Sequence, residues 1–489
     1  MVSTEPDDDR EHRPPDGDQN GAVDKFDAVV IGAGPNGLSA AVTLAMAGRS
    51  VLVLERSAHV GGGTRTEELT LPGFRHDVCS AVHPSAAGSP LLRSLPLADH
   101  GLRWAHPDLP LAQPLTPDRV AVLPADLGEA AELLGPSYAR PMRALVRSWP
   151  EVESHIMGPL VRIPRHPVAL GRFGVRAVLP ATTVARRFDT PELSALFAGN
   201  AAHAFVPLER PLTASFGWYL MASAHTHGWP VAVGGSQAIA DALASYLRSL
   251  GGVIRTDHEV QNLDELAGTP ITMVDTSPET FARIARDRLP PAYLRRVGRY
   301  RRGPAAYKID YALDGPVPWA HPDLGRAGTV HLAGTLDEVA EAERAAFEGF
   351  PHPRPFILVA QQSVFDATRA PEGKHTLWVY AHVPHASRAD HSETIERRIE
   401  EFAPGFRSRV LARHVMSPQD LERWNPNMVG GDIAGGAHTV RQLVFRPFPQ
   451  ANPYSTPIEG VYLCSASTPP GAGTHGMCGH HAAMSALRP

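Results

Sequence analysis

The residues best suited to chemistry cluster near the start of the 489-residue sequence. Gly32-Ala33-Gly34-Pro35-Asn36-Gly37 is a G-x-G-x-x-G run, and Glu55 follows about twenty residues later. In that pattern Gly32 permits a tight turn, Gly34 lets backbone approach a pyrophosphate, and Gly37 lets a helix pack closely on a strand. Pro35 and Asn36 open the helix, whose unpaired N–H groups and positive dipole end attract phosphate. Glu55 supplies a carboxylate for ribose hydroxyls, and an acid at that point disfavours the 2′-phosphate of NADP. The chemistry expected here is dinucleotide binding.

The elements that must position these residues are legible around them. Phe26 to Ile31 and Val51 to Leu54 are short β-branched runs of the kind buried in parallel sheets, with an Ala- and Leu-rich helix from Pro35 to Ala47 between them. Gly234-Gly235-Ser236 leads a helix from Gln237 to Leu250, Gly251-Gly252 begins a strand pair at Val253, and Ile271 to Val274 is a further strand. Ala306 to Leu313, Pro355 to Gln361 and His375 to His382 read as strands interleaved with a charged helix, Ser392 to Phe402. The chain closes on a strand, Gly460 to Cys464, a Gly-rich turn and an Ala-rich helix.

This pattern predicts an α/β fold (α+β overall). A Rossmann-like nucleotide-binding domain is expected from residues 25–92, 229–292 and 455–489, interleaved with a mixed substrate domain from 93–228 and 293–454. Residues 1–24, acidic and Pro-rich, are expected to be a disordered tail.

Bulk properties exclude several functions. A net charge of -5 offers no basic footprint for nucleic acid. Three cysteines, Cys79, Cys464 and Cys478, with no C-x-x-C pair, argue against a disulfide framework or structural zinc. No metal site is expected; His225 and His227 lack an evident third ligand. With no signal-like leader and no long apolar run, a cytoplasmic location is expected. The Arg140–Arg187 segment, basic and amphipathic, leaves open contact with a membrane surface or ordinary packing in the substrate domain.

Arg56-Ser57-Ala58-His59-Val60-Gly61-Gly62-Gly63-Thr64-Arg65 places a second glycine cluster and an arginine directly behind the ribose acid. With this segment, and with Ser465-Ala466 and His475-Gly476-Met477 near the C-terminus, the sequence resembles the phytoene desaturase and flavin amine oxidase superfamily. Leu71-Pro72-Gly73-Phe74, His227-Gly228-Trp229-Pro230 and Gly430-Gly431-Asp432 extend the resemblance over roughly residues 26–489. It implies FAD as cofactor and a nucleotide domain of the glutathione-reductase type. Arg56, Gly61, Gly62, Gly63, Thr64, Arg65, Val260, Ser465, Gly476 and Met477 would join the first motif in contacting FAD.

No second G-x-G-x-x-G occurs around the middle of the chain for NAD(P)H, so hydride is expected to come from the substrate and to pass on to oxygen or a quinone-like acceptor. Three residues are candidates for catalysis. Lys308 shares one strand face with Asp310 and is a candidate to tune the flavin or hold a water, or else a solvated strand-face ion pair. Asp432, in a glycine-rich loop, is a candidate base or a turn cap. His475 borders the expected ring position and titrates near neutrality, so it is a candidate proton exchanger or a backbone partner.

The expected function is an FAD-dependent desaturase or dehydrogenase taking hydride from a lipophilic small molecule such as a polyene, isoprenoid or secondary metabolite. The alternatives are an amine oxidase, with Tyr307, Tyr311, Trp319, Trp378 and Tyr380 as a candidate aromatic cage, and a redox-neutral isomerase. A homodimer is left open.

Overall fold

A computed structural model describes residues 25–488, so the expected acidic tail lies outside the described residues. The uninterrupted apolar runs form β1 (Ala28–Ile31) and β2 (Val51–Leu54), buried throughout. Between them α1 (Pro35–Met46) begins with Pro35 in its first turn, where a missing N–H is harmless, and stops just before Gly48.

A long excursion follows, containing β3 (Leu109–Thr116), β4 (Arg119–Leu123), α2 (Pro136–Arg147), α3 (Pro167–Ala177), α4 (Pro191–Ala202) and α5 (Thr213–His227). The chain returns through α6 (Gln237–Ser249), β5 (Val253–Arg255) and β6 (Ile271–Val274). A second excursion holds β7 (Ala305–Leu313), β8 (Ala327–His331), α7 (Leu336–Glu348), β9 (Ile357–Ala360), β10 (His375–Val383) and β11 (Val410–Met416). The chain closes with β12 (Val461–Leu463) and α8 (Met477–Ala486).

Two sheets result. The first has five strands in the order β12-β6-β1-β2-β5, all parallel, with residues Ala28–Ile31 in register with both Val51–Leu54 and Ile271–Val274. The second has seven strands in the order β11-β7-β10-β9-β8-β3-β4, antiparallel except where β8 meets β3. The fold is therefore a Rossmann-like parallel sheet joined to a mixed sheet, as the sequence implies.

One local expectation fails. The segment after Gly251-Gly252 forms a single edge strand rather than a pair. Past Arg255 the chain turns back across the end of β2, where the His258 N–H donates to the Glu55 carbonyl and the Asp257 N–H to that of Ser57. Its N–H groups are thus spent on the chain just past β2 rather than on a second strand.

Candidate functional site

The carboxyl ends of the parallel strands meet at one crevice, as expected for ligand sites in such sheets. Gly32 follows β1, Glu55 follows β2, Asp275 follows β6 and Ser465 lies just past β12; all four line a single cavity of about 510 Å³. Gly34, the residue before α1, has no side chain with which to cap it, and Gly34, Pro35 and Asn36 open onto the cavity. The positive end of the helix is thus turned towards an anion there, with the Gly37 N–H already taken by Asp275.

Gly62 sits against this turn so closely that a Cβ there would lie 3.0 Å from the Gly34 Cα. The Glu55 carboxylate accepts from the Ala33 N–H at 2.7 Å and the Ser57 N–H at 2.9 Å, which locks the acid at the cavity rim. This arrangement fits the diphosphate and ribose of a dinucleotide: backbone N–H groups, glycines that permit contact, and a fixed carboxylate.

Asp275 was not foreseen. Its Oδ2 accepts from the Gly37 N–H at 2.8 Å, and burial pushes its carboxyl well above the ordinary range, with the nearby Glu55 charge adding to the rise. Burial that favours the neutral form of this acid lessens its repulsion of an anion beside it. Composition gave no sign of this, because the pairing spans residues 37 and 275.

The cavity continues past the cradle to the second sheet. There it is walled by Trp229, Leu358, Trp378 and Tyr380, with Phe216, Tyr219 and Leu220 from α5 on another side. Trp378 and Tyr380 pack edge to face, their centroids 5.1 Å apart.

The turn after α4 supplies His203 and Phe205. Phe205 holds a left-handed backbone, φ +54°, and stacks on His382 with ring centres 3.9 Å apart. Such a conformation costs a bulky residue about 1–3 kcal/mol and persists only where its surroundings enforce it. It sets the Phe205 ring and His203 in the cavity wall.

His438 donates its Nδ1–H to the Ala204 carbonyl at 3.0 Å, which fixes the tautomer and leaves Nε2 as an acceptor on a cavity-lining ring. Burial pushes both His203 and His438 down to about 3, so both imidazoles are neutral.

The expected cofactor residues divide in two. Gly32, Gly34, Pro35, Asn36, Glu55, Arg56, Gly62, Gly63, Thr64, Arg65, Val260 and Ser465 line the cavity. Gly37, Gly61, Gly476 and Met477 lie outside its lining. A Cβ on Gly37 would meet the Gly32 carbonyl oxygen at 2.1 Å, and one on Gly476 would meet Ser39 Oγ at 2.1 Å. These two glycines permit close packing around α1. Gly61 turns the chain at φ +124° while its N–H donates to the Ala33 carbonyl.

The catalytic candidates are dispersed. Asp432 reaches the cavity, but its carboxylate accepts from the Gly303 N–H at 3.0 Å and the Ala434 N–H at 2.8 Å, as a turn cap does. His475 lies outside the lining; its Nδ1 accepts from the Met477 N–H, and burial pushes it down to about 4.

Lys308 stands one layer behind the wall. Its ammonium pairs with Asp310 and lies 5.7 Å from the Trp378 ring centre. That pair is buried rather than solvated, because it abuts a polar network centred on Asp77. Arg369 bonds both Asp77 and Asp366, and Asp77 also accepts from Thr66 and the Ser236 N–H.

Of the aromatic cage candidates only Trp378 and Tyr380 reach the cavity. Tyr307, Tyr311 and Trp319 bond Asp390, Glu396 and Gln361 elsewhere. His225 and His227 are bound to Tyr138 and Glu153. Among the described residues no His, Cys, Asp and Glu cluster could hold a metal, and no helix is long and apolar enough to cross a membrane. Cys478 is buried with its thiol pushed up to about 12.

Known proteins agree with this geometry. Residues 30–95 match the NAD(P)-binding Rossmann-like domain family. The chain is 28% identical to the rat pyridine nucleotide-disulfide oxidoreductase domain-containing protein 2, over 95% of this chain and 94% of that protein. It is 27% identical to a phytoene dehydrogenase of Streptomyces griseus, over 91% of each. The chain is an oxidoreductase similar to the phytoene dehydrogenases. Its fold also matches the cyclohexylamine oxidase of Brevibacterium oxydans, with a TM-score of 0.58 and 16% identity over 94% of this chain and 98% of that one. This oxidoreductase therefore has a Rossmann-like dinucleotide-binding architecture.

Proposed function

We propose that this oxidoreductase binds FAD and takes hydride from a carbon of a lipophilic small molecule, an isoprenoid-like or related secondary metabolite. The observation that carries the reading is the single cavity joining the glycine cradle of α1 to the aromatic wall of the second sheet. FAD, when bound, supplies the hydride acceptor, and oxygen or a quinone-like molecule takes the electrons onward.

The chain's own contribution is orientation and exclusion of water. Trp229, Phe205, Trp378 and Tyr380 offer apolar faces for a greasy body. His203 and the fixed Nε2 acceptor of His438 add hydrogen-bonding points, which suits an oxygen-bearing terpenoid better than a bare hydrocarbon. The phytoene dehydrogenase likeness supports the isoprenoid class.

The amine oxidase reading draws on the Trp378–Tyr380 pair beside the cavity. Against it, the Asp432 carboxylate that reaches the cavity is committed to backbone N–H groups rather than free for a substrate ammonium.

The test is the anaerobic visible spectrum of the purified protein, titrated in turn with NADPH, oxygenated terpenoids and amines. Bleaching of flavin bands by a terpenoid supports the reading. Bleaching by NADPH overturns the direction of hydride flow, and bleaching by amines with peroxide on re-aeration makes the protein an amine oxidase.

A further inference from the structure

The surface around α3 does not belong to the cavity. From 154 to 188 the sequence contains no Asp or Glu, yet it carries Arg162, Arg165, Arg172 and Arg176, in a chain whose net charge is -5. Arg162 donates to the Ser154 and His155 carbonyls and Arg176 to that of Arg172, so neither is neutralised there by a carboxylate.

The same surface is apolar. Ile163 is 93% exposed and Val175 72%, and Val161, Val168 and Val178 are exposed with them. Only Phe173 and Ala177 of α3 are buried. Val168, Val175 and Val178 recur at near-helical spacing, so they share one face of α3 and its C-terminal end. Isolated exposed aliphatics need no explanation, but five within eighteen residues, framed by arginines, do.

We infer that this face docks on a membrane surface bearing anionic lipid. Short aliphatic side chains suit the boundary between headgroups and acyl chains, and arginines bind phosphate bidentately. A groove of about 290 Å³ beneath α3, lined by Pro141, Leu145, Phe173 and Trp218 together with Arg172 and Arg176, combines the same apolar and cationic character. α3 packs on α5, the helix that carries Phe216, Tyr219 and Leu220 into the cavity wall. The docking face is thus one helix away from the substrate chamber. The inference does not depend on the substrate proposal, since lipid binding is measured without turnover.

The experiment is sedimentation of the full-length protein with vesicles of phosphatidylcholine containing about a third phosphatidylglycerol, against phosphatidylcholine alone. Binding to the anionic vesicles is expected, weakened by salt. A variant with Val161, Ile163, Val168 and Val175 all changed to Ser should bind about tenfold more weakly, and so should one with Arg162, Arg165, Arg172 and Arg176 changed to Gln. The serine variant should keep the wild-type melting temperature, because its altered side chains are largely in solvent.

Three results would overturn the inference: no preference for anionic vesicles, undiminished binding by the serine variant, or a wild-type dimer that the serine substitutions dissolve while vesicle binding stays constant. The last would assign the face to a second copy of the chain.

Discussion

Two glycines three residues apart should fail in opposite ways when each is given a methyl group. At Gly37 an added Cβ would sit 2.1 Å from the Gly32 carbonyl oxygen and 3.1 Å from Asp275 Oδ2. The carbonyl cannot retreat easily, because the Gly32 N–H is held by the Leu54 carbonyl at 2.8 Å and the residue sits at φ +98°. Overpacking against fixed backbone costs about 3 kcal/mol. At about 2 °C per kcal/mol for a protein of this size, Gly37→Ala should lower the melting temperature by about 6 °C.

Gly34 differs. Its φ of -71° suits any residue, and the nearest atom to an added Cβ is the movable Asp275 carboxylate oxygen at 2.9 Å. Gly34→Ala should therefore change the melting of cofactor-stripped protein by less than about 1 kcal/mol, while the methyl group narrows the cradle that faces the cavity. The assay is thermal melting of stripped protein alongside the visible flavin band of protein as purified. Equal destabilisation by both substitutions would make Gly34 a packing glycine. Full flavin content in Gly34→Ala would remove it from the cradle.

Other consequences follow from the same geometry. Asp275 has a carboxyl raised by burial, so the fold favours its neutral form; the stability it contributes is present at low pH and is lost as pH rises through the raised value. Asp275→Asn keeps an oxygen for the Gly37 N–H and should flatten that loss, giving a variant at least as stable at alkaline pH; a steeper decline in melting temperature would refute the neutral-acid assignment. Lys308→Met leaves Asp310 buried without its cation and should cost about 3–5 kcal/mol, whereas Lys308→Met with Asp310→Asn should recover most of it in thermal melting. A single variant that melts normally yet slows flavin reduction would restore Lys308 to a direct role. His438→Phe removes the cavity-facing acceptor and should raise KM for oxygenated terpenoids about tenfold with little change in kcat; an unchanged KM would remove His438 from recognition.

The parts of the molecule that the sequence displays are those built from neighbours in the chain. β1, α1 and β2 lie within thirty residues, and each element's pattern is local: buried β-branched runs, a proline at the first helical turn, a glycine at the end. Alternation along β7 likewise places Lys308 and Asp310 on one face. It does not say what covers that face.

The covering group is His76 on the short strand His76–Asp77, 3.7 Å from the second Asp310 oxygen, which no pattern near residue 308 announces. The part of the cavity wall made by His203, Phe205 and His438 was hidden for the same reason. His203 and Phe205 belong to a turn that reads as an ordinary helix end, and His438 to a loop more than two hundred residues away. The Ala204 carbonyl that joins them is main chain, so neither residue type nor spacing reports the contact.

The Asp77 network explains how two interleaved sheets hold one cavity in shape. Asp77 lies on the strand that pairs with Thr66–Glu67, just past the second glycine cluster. Arg369 reaches it at 3.0 Å and bonds Asp366 at 2.8 Å, and Asp366 in turn accepts from the Gly234 N–H that precedes α6. Both acids and the guanidinium are almost fully buried.

Removing one member of such a network leaves an uncompensated buried charge, at about 3–5 kcal/mol, whereas a slight shift of the whole would weaken several bonds at once. The penalty therefore rises steeply with displacement between the cradle side and the second sheet. The substrate wall on β9 and β10 is thereby held in register with the glycine turns of α1. Precision of that kind is what the proposed hydride transfer would demand, because a donor carbon must lie within van der Waals reach of its acceptor.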